Sequence, residues 1–117
     1  MEHAVVHFEI GGVGGEELAG FYRGLFGWDV QASGPDYWLV AAQSPGIGGG
    51  LMQIREDMPS YVTVYVATDD LAASLERAVD LGGVVAVPPT AIPGVGSFAM
   101  FQDPSGNVVG LITEEAA

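Results

Sequence analysis

Cysteine is absent from the 117 residues, so the chain has no disulfide framework, no thiolate nucleophile and no thiolate metal site. Lysine is absent too, and only Arg23, Arg55 and Arg77 stand against fifteen acids. The formal charge of −12 repels a phosphate backbone or an anionic bilayer, which sets nucleic acid and membrane aside as partners. No apolar run approaches the roughly 18 residues of a membrane span. The N-terminus also lacks the basic-then-apolar plan of a signal peptide, so the cytoplasm is the expected compartment. Serines fall in turns without an evident base partner, which leaves covalent catalysis unsupported.

What is present is an apolar fraction of 49%, enough for one core-forming domain over residues 1–117. Ala4–Ile10 has the β-branched and aromatic content of a strand, broken by Gly11-Gly-Val-Gly-Gly15. A phosphate cradle at those glycines is disfavoured, because the G-x-G-x-x-G order is missing and Glu16-Glu17 opposes an anion. From Glu16 to Phe26 the apolar residues Leu18, Phe21, Tyr22, Leu25 and Phe26 recur at helical spacing, with Gly27 as the stop. Trp28–Ala32, Tyr37–Gln43 and Gly50–Arg55 read as short strands between glycine- and proline-rich breaks. The order is then repeated. Tyr61–Ala67 is a strand, and Asp69 or Asp70 caps a helix over Leu71–Leu81 with Leu71, Leu75, Ala78 and Val79 inward. Val84–Val87, Ser97–Gln102 and Val108–Thr113 are strands, with Pro88-Pro89 and Pro93-Gly94 in the connections. Leu25 and Leu81, Gly27 and Gly83, and Gly50 and Gly106 are each 56 residues apart. Such an offset predicts two βαβββ modules, 1–56 and 57–117.

The C-terminal phrase Phe101-Gln-Asp-Pro-Ser-Gly-Asn-Val-Val-Gly-Leu-Ile112 is a hairpin turn between two strands. It resembles the F-x-D-P-x-G-N-x-x-E-L signature of the vicinal oxygen chelate superfamily, the glyoxalases, extradiol dioxygenases and bleomycin-resistance proteins. Phe21-Tyr22 with Leu25-Phe26-Gly27-Trp28, and Asp69-Asp70-Leu71 opening the second helix, extend the resemblance over essentially the whole chain. It implies an α+β fold in which two βαβββ modules form a curled, cup-like sheet around a binding cavity. It also implies a homodimer, as in other small single-chain members.

Metal-dependent members resembling this chain use four ligand positions. His7 stands at the first; Thr63 stands at its counterpart in the second module, Ile54 on the first closing strand, and Gly110 where the last strand's Glu would be. His7 is the only retained family ligand. Glu9 and Glu56 lie two residues along from His7 and Ile54 and, on continuous strands, would share their faces, leaving a rearranged divalent-metal site as an alternative to no cofactor. Strand alternation sends Val6, Phe8 and Ile10 to the helix side and His7 and Glu9 into the cup, with Tyr61, Thr63 and Tyr65 on the cup side of the fifth strand. Trp38, Met52 and Met100 are the expected apolar lining, Trp38 competing with Tyr37 by one register.

Two function classes follow. One is a small-molecule-binding protein without a complete metal site, of the drug-binding or resistance type, whose ligand the acidity predicts to be cationic and partly aromatic. The other is a glyoxalase-like lyase, isomerase or dioxygenase, using a rearranged His7-centred site or His7 and Glu9 as catalytic acid and base.

Overall fold

The computed structural model describes residues 3–114. Its elements run β1 (Val5–Gly12), α1 (Gly15–Phe26), β2 (Val30–Ala32), β3 (Tyr37–Val40), β4 (Gly49–Gln53), β5 (Tyr61–Ala67), α2 (Leu71–Asp80), β6 (Val84–Ile92), β7 (Gly96–Gln102) and β8 (Val108–Glu114). This is βαβββ twice over. The chain divides into two compact units, Val6–Thr63 and, together with the residues up to Val5, the chain from Val64 onward. The division falls within β5, whose first residue, Tyr61, is hydrogen-bonded to Glu9 of the first unit.

In the first unit the strands lie in the order β2-β3-β4-β1, with β1 parallel to β4 and the other pairs antiparallel. Ala19, Val30, Trp38, Val40 and Leu51 form the buried core, with Phe8, Ile10, Leu18, Tyr22 and Trp28 packed around it. Helix α1 approaches the sheet through its small residues. Ala19 is fully buried, and a Cβ on Gly15 would meet the Trp38 ring. Of the bulky residues that carry the helical periodicity, Leu18 and Tyr22 pack on the core, whereas Phe21, Leu25 and Phe26 are all more than half exposed. Gly27 closes α1 in the left-handed conformation at φ 70°, its N–H bonded to the Arg23 carbonyl.

The second unit has the strand order β5-β8-β7-β6, with β5 parallel to β8. Leu71, Leu75, Ala99 and Leu111 are its core, joined by Val66 and Phe101. Asp70 caps α2, its carboxylate accepting from the Ala73 N–H at 3.0 Å. Val79, expected inward, is 49% exposed; the buried face of α2 is Leu71 and Leu75. The Asp103 turn is held by its own carboxylate, which accepts from the Ser105 and Asn107 backbone N–H groups and from Asn107 Nδ2 at 2.8–2.9 Å.

Strand β6 continues through Pro88-Pro89 to Ile92, where a connection was expected after Val87. Register shifts either side of Val87 and the edge position of β6 let the ladder skip the missing proline N–H groups. Nine residues in β6 against three in β2 also break the 56-residue offset beyond the helices. Glu9 lies beside Gly50, and Tyr65, 56 residues on from Glu9, lies beside Gly110. The counterpart of Gly110 is therefore Gly50, not Ile54.

Candidate functional site

Phe8 and Ile10 pack on the α1 side of β1, so alternation turns His7 and Glu9 to the opposite face. The ladder extends that face across the first unit: Glu9 lies beside Gly50, Gly50 beside Leu39, and Leu39 beside Gln31. Tyr37, two residues before Leu39, is on the same face and lies beside Met52, which in turn lies beside Gly11. Two glycines act as seats for rings. A Cβ on Gly50 would meet the hydroxyl end of Tyr37, and one on Gly11 would meet the ring of Tyr61.

Seated this way, both phenols reach Glu9. Tyr61 Oη donates to Glu9 Oε2 at 2.6 Å and Tyr37 Oη donates to Glu9 Oε1 at 3.0 Å. Glu9 is 6% exposed, and a buried carboxylate needs such donors. His7 Nε2 lies 2.9 Å from Tyr37 Oη. The one phenolic proton of Tyr37 is committed to Glu9, so His7 Nε2–H is the donor in that contact. Burial lowers the His7 pKa, and the nearby Glu9 charge opposes this in part. The result is a directed chain, His7 to Tyr37 to Glu9, with Tyr61 completing the carboxylate. Met52 Sδ is 3.5 Å from the Tyr61 hydroxyl. Thr63, buried two residues beyond Tyr61, shares its side of β5 by alternation. Next to His7 the first unit carries a cleft of about 360 Å³ whose walls include Asp29, Gln31, Leu39 and Ala41.

Among the expected ligand-facing residues, Trp38 is misplaced by one register. It is 4% exposed in the α1 core, its indole N–H without an acceptor among the described residues, and Tyr37 takes the position on the opposite face. Tyr65 and Met100 belong to the second unit. There Val66 and Ala99 pack toward α2, which turns Tyr65, Met100 and Phe98 away from it; the Tyr65 and Phe98 rings meet edge-on at 6.4 Å. Glu56 is in an exposed turn after β4 has ended at Gln53, so strand alternation does not carry it to the face of Glu9. Tyr37 was the sequence's alternative to Trp38 by one register, whereas Asp29, Gln31 and Leu39 went unrecognised, and the pairing of Gly50 with Leu39 identifies their side.

The metal that the resemblance implies does not fit these residues. Among the described residues no three His, Cys, Asp or Glu side chains come together as ligands. The closing-strand positions are occupied in a second sense: the Tyr65 ring covers the bare backbone of Gly110, as Tyr37 covers Gly50. A carboxylate could not project from either glycine without displacing a ring.

The glyoxalase-like domain family matches residues 13–112. A protein named as a glyoxylase, CFP32 of Mycobacterium bovis, is 33% identical over 81 residues, covering 69% of this chain and 31% of its own length. The anthracycline biosynthesis protein DnrV of Streptomyces peucetius is 36% identical over 119 residues, covering 85% of this chain and 42% of its own. The chain thus spans less than half the length of these relatives. Methylmalonyl-CoA epimerase of Streptomyces coelicolor, solved with 2-nitronate-propionyl-CoA, has the same fold, with a TM-score of 0.74 at 18% identity over 99% of this chain and 100% of its own.

Proposed function

Because this chain belongs to the glyoxalase-like domain family of the vicinal oxygen chelate superfamily, we propose that it is a small-molecule-binding protein that holds its ligand through the His7–Tyr37–Glu9–Tyr61 array without a metal. The observation that carries this reading is the exchange at the closing strands, where glycines seat the Tyr37 and Tyr65 rings in place of a metal-binding carboxylate. The ligand is a cationic, partly aromatic molecule: the formal charge of −12 attracts a cation over distance, and phenol rings offer it their faces. The relationship to DnrV, named for anthracycline biosynthesis, supports an aromatic compound. Residues 1–117 act as one such domain, and the working form is a cytoplasmic homodimer.

The test is a thermal-shift panel of planar organic cations and anionic 2-oxo acids, with elemental analysis of the dialysed protein. Stabilisation by cations at substoichiometric metal is expected, about 2.7 kcal/mol at a hundredfold excess over Kd. One Ni, Zn, Fe or Mn per chain, or stabilisation by the 2-oxo acids alone, overturns it. A monomer mass by light scattering removes the dimer.

A second reading is favoured by one observation, the unbroken hydrogen-bond chain from His7 through Tyr37 to Glu9. An imidazole whose pKa is lowered by burial is a free base at neutral pH, and the chain would serve a lyase or isomerase by moving a proton at a carbon acid. Solvent deuterium entering α to the carbonyl of a 2-oxo acid, and lost in Tyr37→Phe, would establish it.

A further inference from the structure

We propose that the outward face of α1 is where a second copy of this chain docks, its own α1 laid antiparallel across it, an assignment that rests on the homodimer reading and gives that dimer an interface. Phe21 and Leu25 are more than half exposed and, four residues apart, share one flank of the helix. Gly20 and Gly24 run beside them, exposed as well, and a Cβ on either would meet nothing within 4 Å. Neither glycine has a positive φ. Nothing within one chain therefore requires glycine at these two places, although each weakens a helix relative to alanine. Bare backbone beside an apolar flank is what a closely approaching helix uses.

The face is complementary to itself. At about 100° per residue, Glu17, Gly20 and Gly24 form the outermost line of α1, opposite the contact that Gly15 and Ala19 make with the sheet side. Phe21 and Leu25 lie to one side of that line, Glu16 and Arg23 to the other. A twofold axis relating antiparallel helices brings like flanks together. Phe21 and Leu25 then meet the same pair in the second copy, and Glu16 meets the second copy's Arg23, seven residues along. A parallel pairing would set Phe21 and Leu25 against Glu16 and Arg23 and forfeit both matches. Arg23 can serve, because its Nε and Nη2 donate to the Val30 carbonyl at 3.2 and 2.6 Å, which leaves the Nη1 donors pointing elsewhere. Two copies of formal charge −12 repel at distance, and exposed ion pairs contribute little, so the apolar flank supplies the attraction. A helix of 12 residues covers less than the roughly 800 Å² per partner of a standard interface, and the dimer is accordingly reversible.

The experiment is sedimentation equilibrium from micromolar to near-millimolar protein, on wild type, Phe21→Ser and the double variant Gly20→Gln, Gly24→Gln. All three substitutions are at exposed positions, and melting curves of dilute protein check that each variant folds. Wild type should dimerise reversibly, and each variant should weaken the dimer about tenfold or more, the glutamine variant while melting no lower than wild type. The chain has no cysteine, so Phe21→Cys should cross-link to itself under mild oxidation, whereas Leu81→Cys, as exposed but on the second unit, should not. A dimer of unchanged affinity in both variants overturns the α1 contact and leaves the homodimer standing. Weakening by Phe21→Ser alone overturns the close helix pairing, and a monomer at every wild-type concentration overturns contact and homodimer together.

Discussion

The two βαβββ modules use the same scaffold to build opposite surfaces on the sheet faces turned away from their helices. In the first, Glu9 stands beside a glycine and is bound by the Tyr37 phenol, through it by a histidine, and by the phenol of Tyr61 at the start of β5. In the second, the residue 56 positions on is Tyr65, also beside a glycine, with Phe98 and Met100 for neighbours. One face is a polar array with directed protons and the other an aromatic wall. Repetition has kept the backbone and the glycine seats while exchanging the chemistry placed on them. This is why the function must be read from side chains and not from the fold.

The sharpest way to break the difference is to make the first face resemble the second. Glu9→Leu removes the acceptor of two phenolic protons at a nearly buried position, and a loss of about 3 kcal/mol in denaturant unfolding is expected. The triple variant Glu9→Leu, Tyr37→Phe, Tyr61→Phe should recover most of it, because polar groups removed together leave none unpaired. Additive losses would mean that the array is not coupled.

A smaller effect tests the seat that both faces share. Gly110→Ala should cost about 2 kcal/mol through overpacking against Tyr65, and almost nothing in a Tyr65→Ala background. Equal cost in both backgrounds would remove the ring as the cause.

The smallest effect distinguishes the modules by pH. The lowered pKa of His7 means that the unfolded chain takes up that proton first. Stability is then complete above about 6.5, the ordinary imidazole value, and falls as pH drops toward the lower folded value. Melting temperatures between pH 7.5 and 5.5 should show this slope, and His7→Gln should flatten it. In the second module the comparable group is Asp103, held below its ordinary value first by the Asn107 side chain and then by backbone N–H groups. Its contribution is present above about 3.9 and lost only as pH falls further. A titration of the melting temperature in Asp103→Asn should therefore depart from wild type at acid pH alone.

Much of this architecture was legible. Tyr61–Ala67 is a strand over the span its β-branched and aromatic residues give, and Asp70 caps α2 as its position before Leu71 requires. The faces were legible wherever polar and apolar residues alternate, as along Val6 to Ile10. They were silent in Tyr37-Trp-Leu-Val40, where four apolar residues in a row carry no period of two, and Trp38 was accordingly set on the wrong side. In α1 the large side chains drew attention, while Gly15 and Ala19, too small to register as apolar signal, make the close contact. Gly11 read only as a strand breaker and Gly50 only as the start of a strand, since a sequence does not say which ring lies across from a missing side chain. The offset of 56 located the second helix but not the closing strand, because the long β6 delays everything after it.

The paired prolines of β6 have a consequence outside the binding face. A sheet edge offers unpaired N–H and C=O groups on which another chain could build, and edge-to-edge addition of this kind is how fibrils begin. At Pro88 and Pro89 the N–H groups are missing, and the register shifts beside them kink the strand. An incoming strand would find neither a straight template nor a complete ladder. With few cations to blunt its edges by charge, the protein guards this one against aggregation by leaving donors out of it.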